Sequence, residues 1–130
     1  MSTHLILVSH NNIAAALLKT IQQIFGGSLP LVTSVISVDN DSDRDKLFLD
    51  LQAIIDEAKQ EGGCLILTDL FGATPNNIAR AFCQEAVSVI SGLNLPMLVR
   101  IMNYPGLSLA ELTKKAIDAG KQGITSCNQE

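Results

Sequence analysis

The chain has 130 residues, 47% of them hydrophobic, with a formal net charge of −4. This length and apolar content predict one domain over residues 1–130 with a single sizeable core, and they argue against a disordered chain. The acidic balance argues against nucleic acid or an anionic membrane as the main partner, and no apolar run approaches the roughly 20 residues that span a bilayer.

The first half of the chain predicts two strands, each followed by a helix. Residues 4–9 contain the continuous apolar run LILV, which is typical of a strand buried on both faces. Asn11 or Asn12 is the predicted N-cap of the helix that follows. Residues 31–38 are rich in β-branched side chains and predict the second strand. The polar loop DNDSDRDK then leads into a helix for which Ser42 is the predicted N-cap.

The second half repeats this alternation. Residues 64–68 predict a third buried strand with Asp69 at its carboxyl end, and Thr74 is the predicted cap of the next helix. Residues 87–90 predict a short fourth strand, followed by a helix that opens at Pro96. A capping box of Ser108 and Glu111 starts the last helix, and residues 122–128 predict a short final strand.

Strands that alternate with helices predict a three-layer α/β sandwich with a mainly parallel, four-stranded sheet. Such sheets bind ligands beyond the carboxyl ends of their strands. His10, Asp69 and residues 92–96 all follow predicted strand ends. We therefore expect them to share one rim of the molecule.

His10 and Asp69 form the candidate reactive pair on that rim. A neutral imidazole is a competent nucleophile, and a carboxylate that holds one ring N–H leaves the lone pair of the other nitrogen outward. The pattern indicates an imidazole that accepts a phosphoryl group. Taken singly, however, His10 fits a loop residue, and Asp69 and Asn94 each fit a helix cap. GATP lacks the spacing and the lysine of a P-loop.

The other candidate reactive side chains are predicted to be inert. His4 lies at the far end of the first strand, away from the rim. The three cysteines are an odd number without a CxxC motif, which favours a reducing, cytoplasmic setting. Two histidines and no Cys/His cluster argue against a metal site, and no cofactor is expected.

Three motifs carry a resemblance that extends over essentially the whole chain: VSHNNIAAALL, LILTDLFGATPNNIA and ISGLNLPMLV. Together they resemble the mannose-type IIA component (EIIA) of the bacterial phosphoenolpyruvate-dependent sugar phosphotransferase system. The resemblance implies that His10 accepts a phosphoryl group from the phosphocarrier protein HPr and passes it to a IIB protein or domain. It implies a catalytic role for Asp69, and the family's motif also covers Gly72, Ala73 and Thr74. We expect phosphate or partner binding by Asn11, Gly72, Ala73, Thr74 and Asn94.

The resemblance also implies an assembly. The family's dimers exchange a C-terminal strand between subunits, and residues 122–128 would be that strand here. We therefore expect a homodimer that uses a separate IIB partner. Its contact with the membrane would be indirect, through a permease complex.

Three alternative functions remain open at this point. A stand-alone regulatory EIIA would undergo the same phosphorylation, and its phosphorylation state would control a partner protein. A phosphotransfer subunit of a dihydroxyacetone kinase is disfavoured by the stretch GLNLPML. A receiver-like domain phosphorylated on aspartate would need an acidic cluster after the first strand, where this chain has SHNN.

Overall fold

The computed structural model describes residues 2–128, in which four strands alternate with five helices. The strands are β1 (His4–His10), β2 (Thr33–Val38), β3 (Cys64–Thr68) and β4 (Val87–Ser91). The helices are α1 (Ile13–Ile24), α2 (Arg44–Ala58), α3 (Thr74–Arg80), α4 (Leu95–Asn103) and α5 (Leu109–Gln122). None of these helices is long and apolar enough to cross a membrane.

The strands form one parallel sheet in the order β2-β1-β3-β4, which confirms the predicted α/β class. β1 and β3 occupy the centre, and their apolar runs are fully buried, as expected for strands covered on both faces. In the register, His10 lies opposite Val38 and Val8 lies opposite Thr68. The carboxyl ends of β1, β2 and β3 therefore meet at one edge of the sheet.

Helices cover both faces of the sheet, as a three-layer sandwich requires. On one face, Leu5 and Leu7 of β1 pack in a cluster with side chains of α1, α4 and α5. On the other face, Ile6 and Val8 pack with side chains of α2 and α3. The alternation of neighbouring residues between the two clusters follows from the two-residue period of a strand.

Two of the predicted helix caps differ from those observed. The cap of α2 is Asp43, whose carboxylate accepts from the backbone amides of Asp45 and Lys46, and not Ser42. α3 begins at Thr74 itself, after Ala73, so Thr74 is a helical residue and not the cap. The N-cap of α1 is Asn12, one of the two residues predicted there, although its side chain makes no capping hydrogen bond.

The predicted capping box of α5 is confirmed, because Ser108 and Glu111 exchange side-chain and backbone hydrogen bonds. The predicted final strand is not formed within the single chain. Gln122 is the last residue of α5, and residues 124–126 have no regular secondary structure. A strand in this segment would need a partner from outside, so exchange with a second copy stays a prediction.

Candidate functional site

His10 and Asp69 are in direct contact at the carboxyl edge of the sheet. One carboxylate oxygen, Oδ2 of Asp69, lies 2.8 Å from Nδ1 of the His10 ring. The same oxygen accepts a hydrogen bond of 3.0 Å from the backbone N–H of His10. The carboxylate therefore fixes both the backbone and the ring of His10, and the ring contact is the one expected from the positions of the two residues at the ends of β1 and β3.

This contact leaves the outer ring nitrogen of His10 free to react. Because an ionised carboxylate only accepts hydrogen bonds, Nδ1 carries a proton and Nε2 keeps its lone pair in the neutral ring. The His10 side chain is 40% exposed, whereas that of Asp69 is only 11% exposed. The His10 ring is thus partly open to solvent, while the carboxylate that orients it stays within the fold.

Asp69 is held in its charged form. Burial alone would raise the pKa of its carboxyl, but the hydrogen bonds from the backbone and the ring of His10 outweigh burial and keep the pKa below its ordinary value. Its second oxygen, Oδ1, is buried and has no hydrogen-bond partner among residues 2–128. All the hydrogen bonding to the described protein groups therefore converges on the oxygen that touches His10.

The turn after His10 depends on an unusual backbone conformation. Asn11 has a φ of 48°, the only positive value at a non-glycine position in the described chain. Asparagine tolerates this left-handed conformation better than most residues. The backbone N–H of Asn11 also donates a 2.9 Å hydrogen bond to the backbone carbonyl of Val38. The turn thus ties the residue after His10 to the end of the neighbouring strand β2.

An open cleft of about 370 Å³ lies in front of the His10 ring. It is lined by His10, Asn11, Val38, Asp39, Asn40, Ser42, Arg44 and Thr74. The predicted residues Asn11 and Thr74 are therefore both in the cleft. Gly72 and Ala73 lie outside its lining, in the loop that joins Asp69 to α3. The carbonyl of Gly72 accepts a hydrogen bond of 3.2 Å from the Asn77 side chain.

The expectation that Asn94 lies in the same cleft is wrong. Its Oδ1 atom caps α4 by accepting from the amide of Met97, and its Nδ2 atom donates to the carbonyl of Gly120 on α5. Asn94 instead lines a separate, largely apolar pocket beside β4 and α5. The side-chain amide of Asn94 thus links α4 to α5. Its cap of α4 is the alternative role that the sequence allowed.

Sequence reasoning missed the loop after β2 as a wall of the cleft. Asn40, Ser42 and Arg44 all line it, although DNDSDRDK reads as a solvated loop. Parallel sheets bind ligands beyond the carboxyl ends of their strands, and β2 also ends at this edge, so the loop after β2 could have been predicted to line the cleft. The sequence does not show that β2 pairs directly with β1. The structure does, because His10 lies opposite Val38 in the register.

The matching family model and two similar solved structures all describe IIA components of the phosphotransferase system. Residues 4–117 match the EIIA-man family, described as the PTS system fructose IIA component. No curated protein sequence matches the chain significantly. Several solved structures have closely similar folds and cover 95% or more of this chain, and two of them illustrate the likeness.

The first of these is the mannose/sorbose-specific IIA subunit of the phosphotransferase system from Enterococcus faecalis. It is 28% identical, with a TM-score of 0.85 and coverage of 100% of this chain and 98% of that one. The second is the phosphotransferase system component EIIA from Streptococcus agalactiae. It is 25% identical, with a TM-score of 0.82 and coverage of 95% of this chain and 96% of that one.

Proposed function

The chain belongs to the EIIA-man family of sugar phosphotransferase system components, and on that premise we propose that His10 accepts a phosphoryl group from phospho-HPr and passes it to a IIB component in sugar uptake. The observation that carries this proposal is the 2.8 Å contact between Nδ1 of His10 and Oδ2 of Asp69. That contact prepares Nε2 as a nucleophile at an exposed edge of the sheet.

The proposed reaction transfers a phosphoryl group between two imidazoles. The lone pair on Nε2 of His10 forms the new N–P bond, while the N–P bond of the donor histidine breaks and the donor nitrogen keeps its electron pair. The Nδ1 proton of His10 stays in its hydrogen bond to Asp69. The ring gains positive character as the N–P bond forms, and the adjacent carboxylate stabilises it.

Asn11 and Thr74 are the proposed polar contacts of the phosphoryl oxygens. Both line the cleft in front of His10, and each side chain can donate a hydrogen bond. We place no metal in this step, because transfer between imidazoles depends mainly on positioning and on stabilisation of charge.

Partner proteins are proposed to dock on the apolar surface beside the site. Leu70 and Phe71 directly follow Asp69 and are 60% and 67% exposed, and Ile13 at the start of α1 is also exposed. Large apolar side chains exposed together are typical of protein-interaction surfaces. The small residues Gly72 and Ala73 continue this loop and leave room for the backbone of HPr or of a IIB component.

A homodimer is part of the proposal and rests on the family resemblance. Two features of the chain support it. β4 is an edge strand of the sheet, and an edge strand offers unpaired backbone groups to another chain. Ile124 follows α5 and is 78% exposed, as expected of a residue that packs against a second copy.

The proposed function is tested by incubating the protein with phosphoenolpyruvate, enzyme I and HPr. We expect one acid-labile, base-stable phosphate per chain, as for a phosphohistidine. His10→Ala should remove it completely. His4→Ala is the matched control, because His4 lies at the opposite end of β1, where its Nε2 atom is 2.8 Å from Oγ of Ser34. Phosphate that persists on the His10→Ala protein would refute the assignment.

A further inference from the structure

Among residues 2–128, Arg44 is the one permanently cationic side chain that lines the cleft of His10. It is the first residue of α2, and it shares the cleft of about 370 Å³ with His10 and Thr74. The other charged residue there is Asp39, whose Oδ1 atom accepts hydrogen bonds from the Asp41 amide and the Ser42 hydroxyl. That carboxylate is therefore already used in shaping the loop.

No structural role within residues 2–128 accounts for Arg44. Its guanidinium forms no ion pair and no side-chain hydrogen bond with the described residues, whereas Lys46 on the same helix pairs with Asp50 at 3.1 Å. A cation in the first turn also opposes the helix dipole, which favours negative charge there. Arg44 at this position therefore destabilises the helix, and no contact with the described residues offsets that effect.

The chemistry of the cleft supplies a reason for the positive charge. During transfer, a phosphoryl group spreads negative charge over three oxygens. The carboxylates of Asp69 and Asp39 both repel that charge. A guanidinium is a planar fork of N–H donors that can bind two phosphoryl oxygens at once. Asn11 and Thr74 are neutral and cannot offset the repulsion.

From these observations we propose that Arg44 is a further catalytic residue, which binds the phosphoryl oxygens while the group moves onto Nε2 of His10. This inference rests on the proposed function. The bond changes are those already described, from the donor's phosphohistidine to His10. Arg44 forms and breaks no covalent bond, and it contributes hydrogen bonds and charge to the equatorial oxygens.

The first test compares Arg44→Gln with Lys46→Gln. Both changes remove one positive charge from the first turn of α2, but only Arg44 lines the cleft of His10, whereas Lys46 lines a neighbouring pocket together with Asp50. The measurement is the rate constant for transfer from phospho-HPr at two ionic strengths. We expect Arg44→Gln to be slower by roughly 10- to 100-fold at both, and Lys46→Gln to stay within about twofold of wild type.

Arg44→Lys is the conservative variant and should recover part of the rate, because it restores the charge without the planar fork. Circular dichroism and urea unfolding should show that all three variants fold, since both side chains are exposed. Equal slowing by Arg44→Gln and Lys46→Gln, or slowing that disappears at high salt, would overturn the proposal in favour of general attraction of a partner.

A second measurement needs no transfer reaction. Inorganic phosphate is titrated into each protein while the ring resonances of His10 are followed by NMR. We expect a saturable shift at millimolar phosphate in wild type and in Lys46→Gln, and a shift at least threefold weaker in affinity in Arg44→Gln. Equal phosphate affinity in Arg44→Gln and wild type would overturn the role of Arg44.

The two proposals fail in different ways. A wild-type protein that accepts phosphate while Arg44→Gln keeps the wild-type rate refutes Arg44 and leaves the proposed function standing. A wild-type protein that accepts no phosphate from phospho-HPr refutes the proposed function, and the phosphate titration then decides whether Arg44 binds anions in the cleft.

Discussion

Asp69 accepts two hydrogen bonds from His10, and in the proposed phosphotransfer the one from the ring decides which nitrogen reacts. Two opposing effects act in the transfer. The carboxylate attracts the ring as it becomes cationic, and it repels the incoming phosphoryl group. The ring contact is direct at 2.8 Å, whereas the phosphoryl group binds at Nε2 on the far side of the ring. Because Coulomb energy falls with distance, we expect the attraction to dominate.

Removing the charge of Asp69 should therefore slow phosphotransfer. Asp69→Asn can still accept from the ring through its carbonyl oxygen but loses the charge-assisted part of the hydrogen bond. We expect a loss of about 2–4 kcal/mol in transition-state stabilisation, or roughly 10²- to 10³-fold in rate. Asp69→Ala should be at least as slow. The measurement is the transfer rate from phospho-HPr, with circular dichroism as the folding control. A folded Asp69→Ala protein with the wild-type rate would mean that Asp69 is only a structural residue.

The same carboxylate should make stability depend on pH. The hydrogen bonds from His10 lower the folded-state pKa of Asp69 below its ordinary value of 3.8. The unfolded chain therefore binds the proton first on acidification. The stabilisation by the ionised carboxylate is complete above that ordinary value and is lost as the pH falls through the folded pKa. Urea unfolding between pH 6 and pH 2.5 should show a smaller acid loss for Asp69→Asn than for wild type. Parallel losses would contradict the pKa assignment.

Among single residues, the sequence predicted the contact between His10 and Asp69 better than the surroundings of that contact. His10 ends β1 and Asp69 follows β3, so the meeting of parallel strand ends at one edge is enough to bring the two residues together. Asn94 obeys the same rule but was misplaced in the cleft, because an asparagine at a helix start can either cap or bind, and only the observed bonds to Met97 and Gly120 decide. Arg44 was not predicted, since its place in the cleft depends on how the loop after β2 folds.

At the scale of elements, the β3 strand is closely packed where it begins. Gly63 precedes β3 with a φ of 82°, and a Cβ atom there would lie 2.7 Å from the carbonyl oxygen of Ala86. An alanine would meet both a disfavoured backbone conformation and a clash with backbone. We expect Gly63→Ala to lower the free energy of unfolding by more than about 2 kcal/mol.

Gly106→Ala is the control for that change, because a Cβ there has open space and its φ is ordinary. It should alter the unfolding free energy by less than about 0.5 kcal/mol. Urea denaturation at neutral pH measures both variants. Equal stability of Gly63→Ala and wild type would show that the turn into β3 can relax around the added methyl group.

The elements themselves were predictable because their signals are strong. The four strands are short apolar or β-branched runs, and the helices between them have helical apolar spacing. Boundaries were harder to predict at the start of α2, where Ser42 and Asp43 are both good cap residues. The structure uses Asp43 for the helix and Ser42 for the preceding turn, where its hydroxyl accepts from the amide of Asp39. Sequence alone does not rank two adjacent caps.

For the whole molecule, the segment after α5 should control assembly. If residues from 124 onward pack on a second copy, deleting them should convert a dimer into monomers and lower stability. Sedimentation equilibrium at micromolar concentration measures this directly. Ile124→Asp is the milder variant, and it should weaken the dimer because Ile124 is the large apolar side chain exposed there. A monomeric full-length protein would contradict the assembly.

The assembly is also where sequence prediction is weakest. A final strand over residues 122–128 was predicted, yet Gln122 ends α5 and the single chain leaves the segment without strand pairing. A strand gains its backbone hydrogen bonds only from a neighbour, and a β-competent segment does not specify whether that neighbour belongs to its own chain. Helices and buried strands were predictable because their partners lie within the same fold.

The position of the phosphate on the His10 ring shows whether Asp69 selects the nitrogen that reacts. The protein, labelled with ¹⁵N in its histidines, is phosphorylated from phospho-HPr and examined by ¹⁵N and ³¹P NMR. Because Asp69 holds the Nδ1 proton, we predict phosphate on Nε2 of His10, with Nδ1 still protonated and hydrogen-bonded. Phosphate on Nδ1 of His10, or on any other residue, would contradict this prediction.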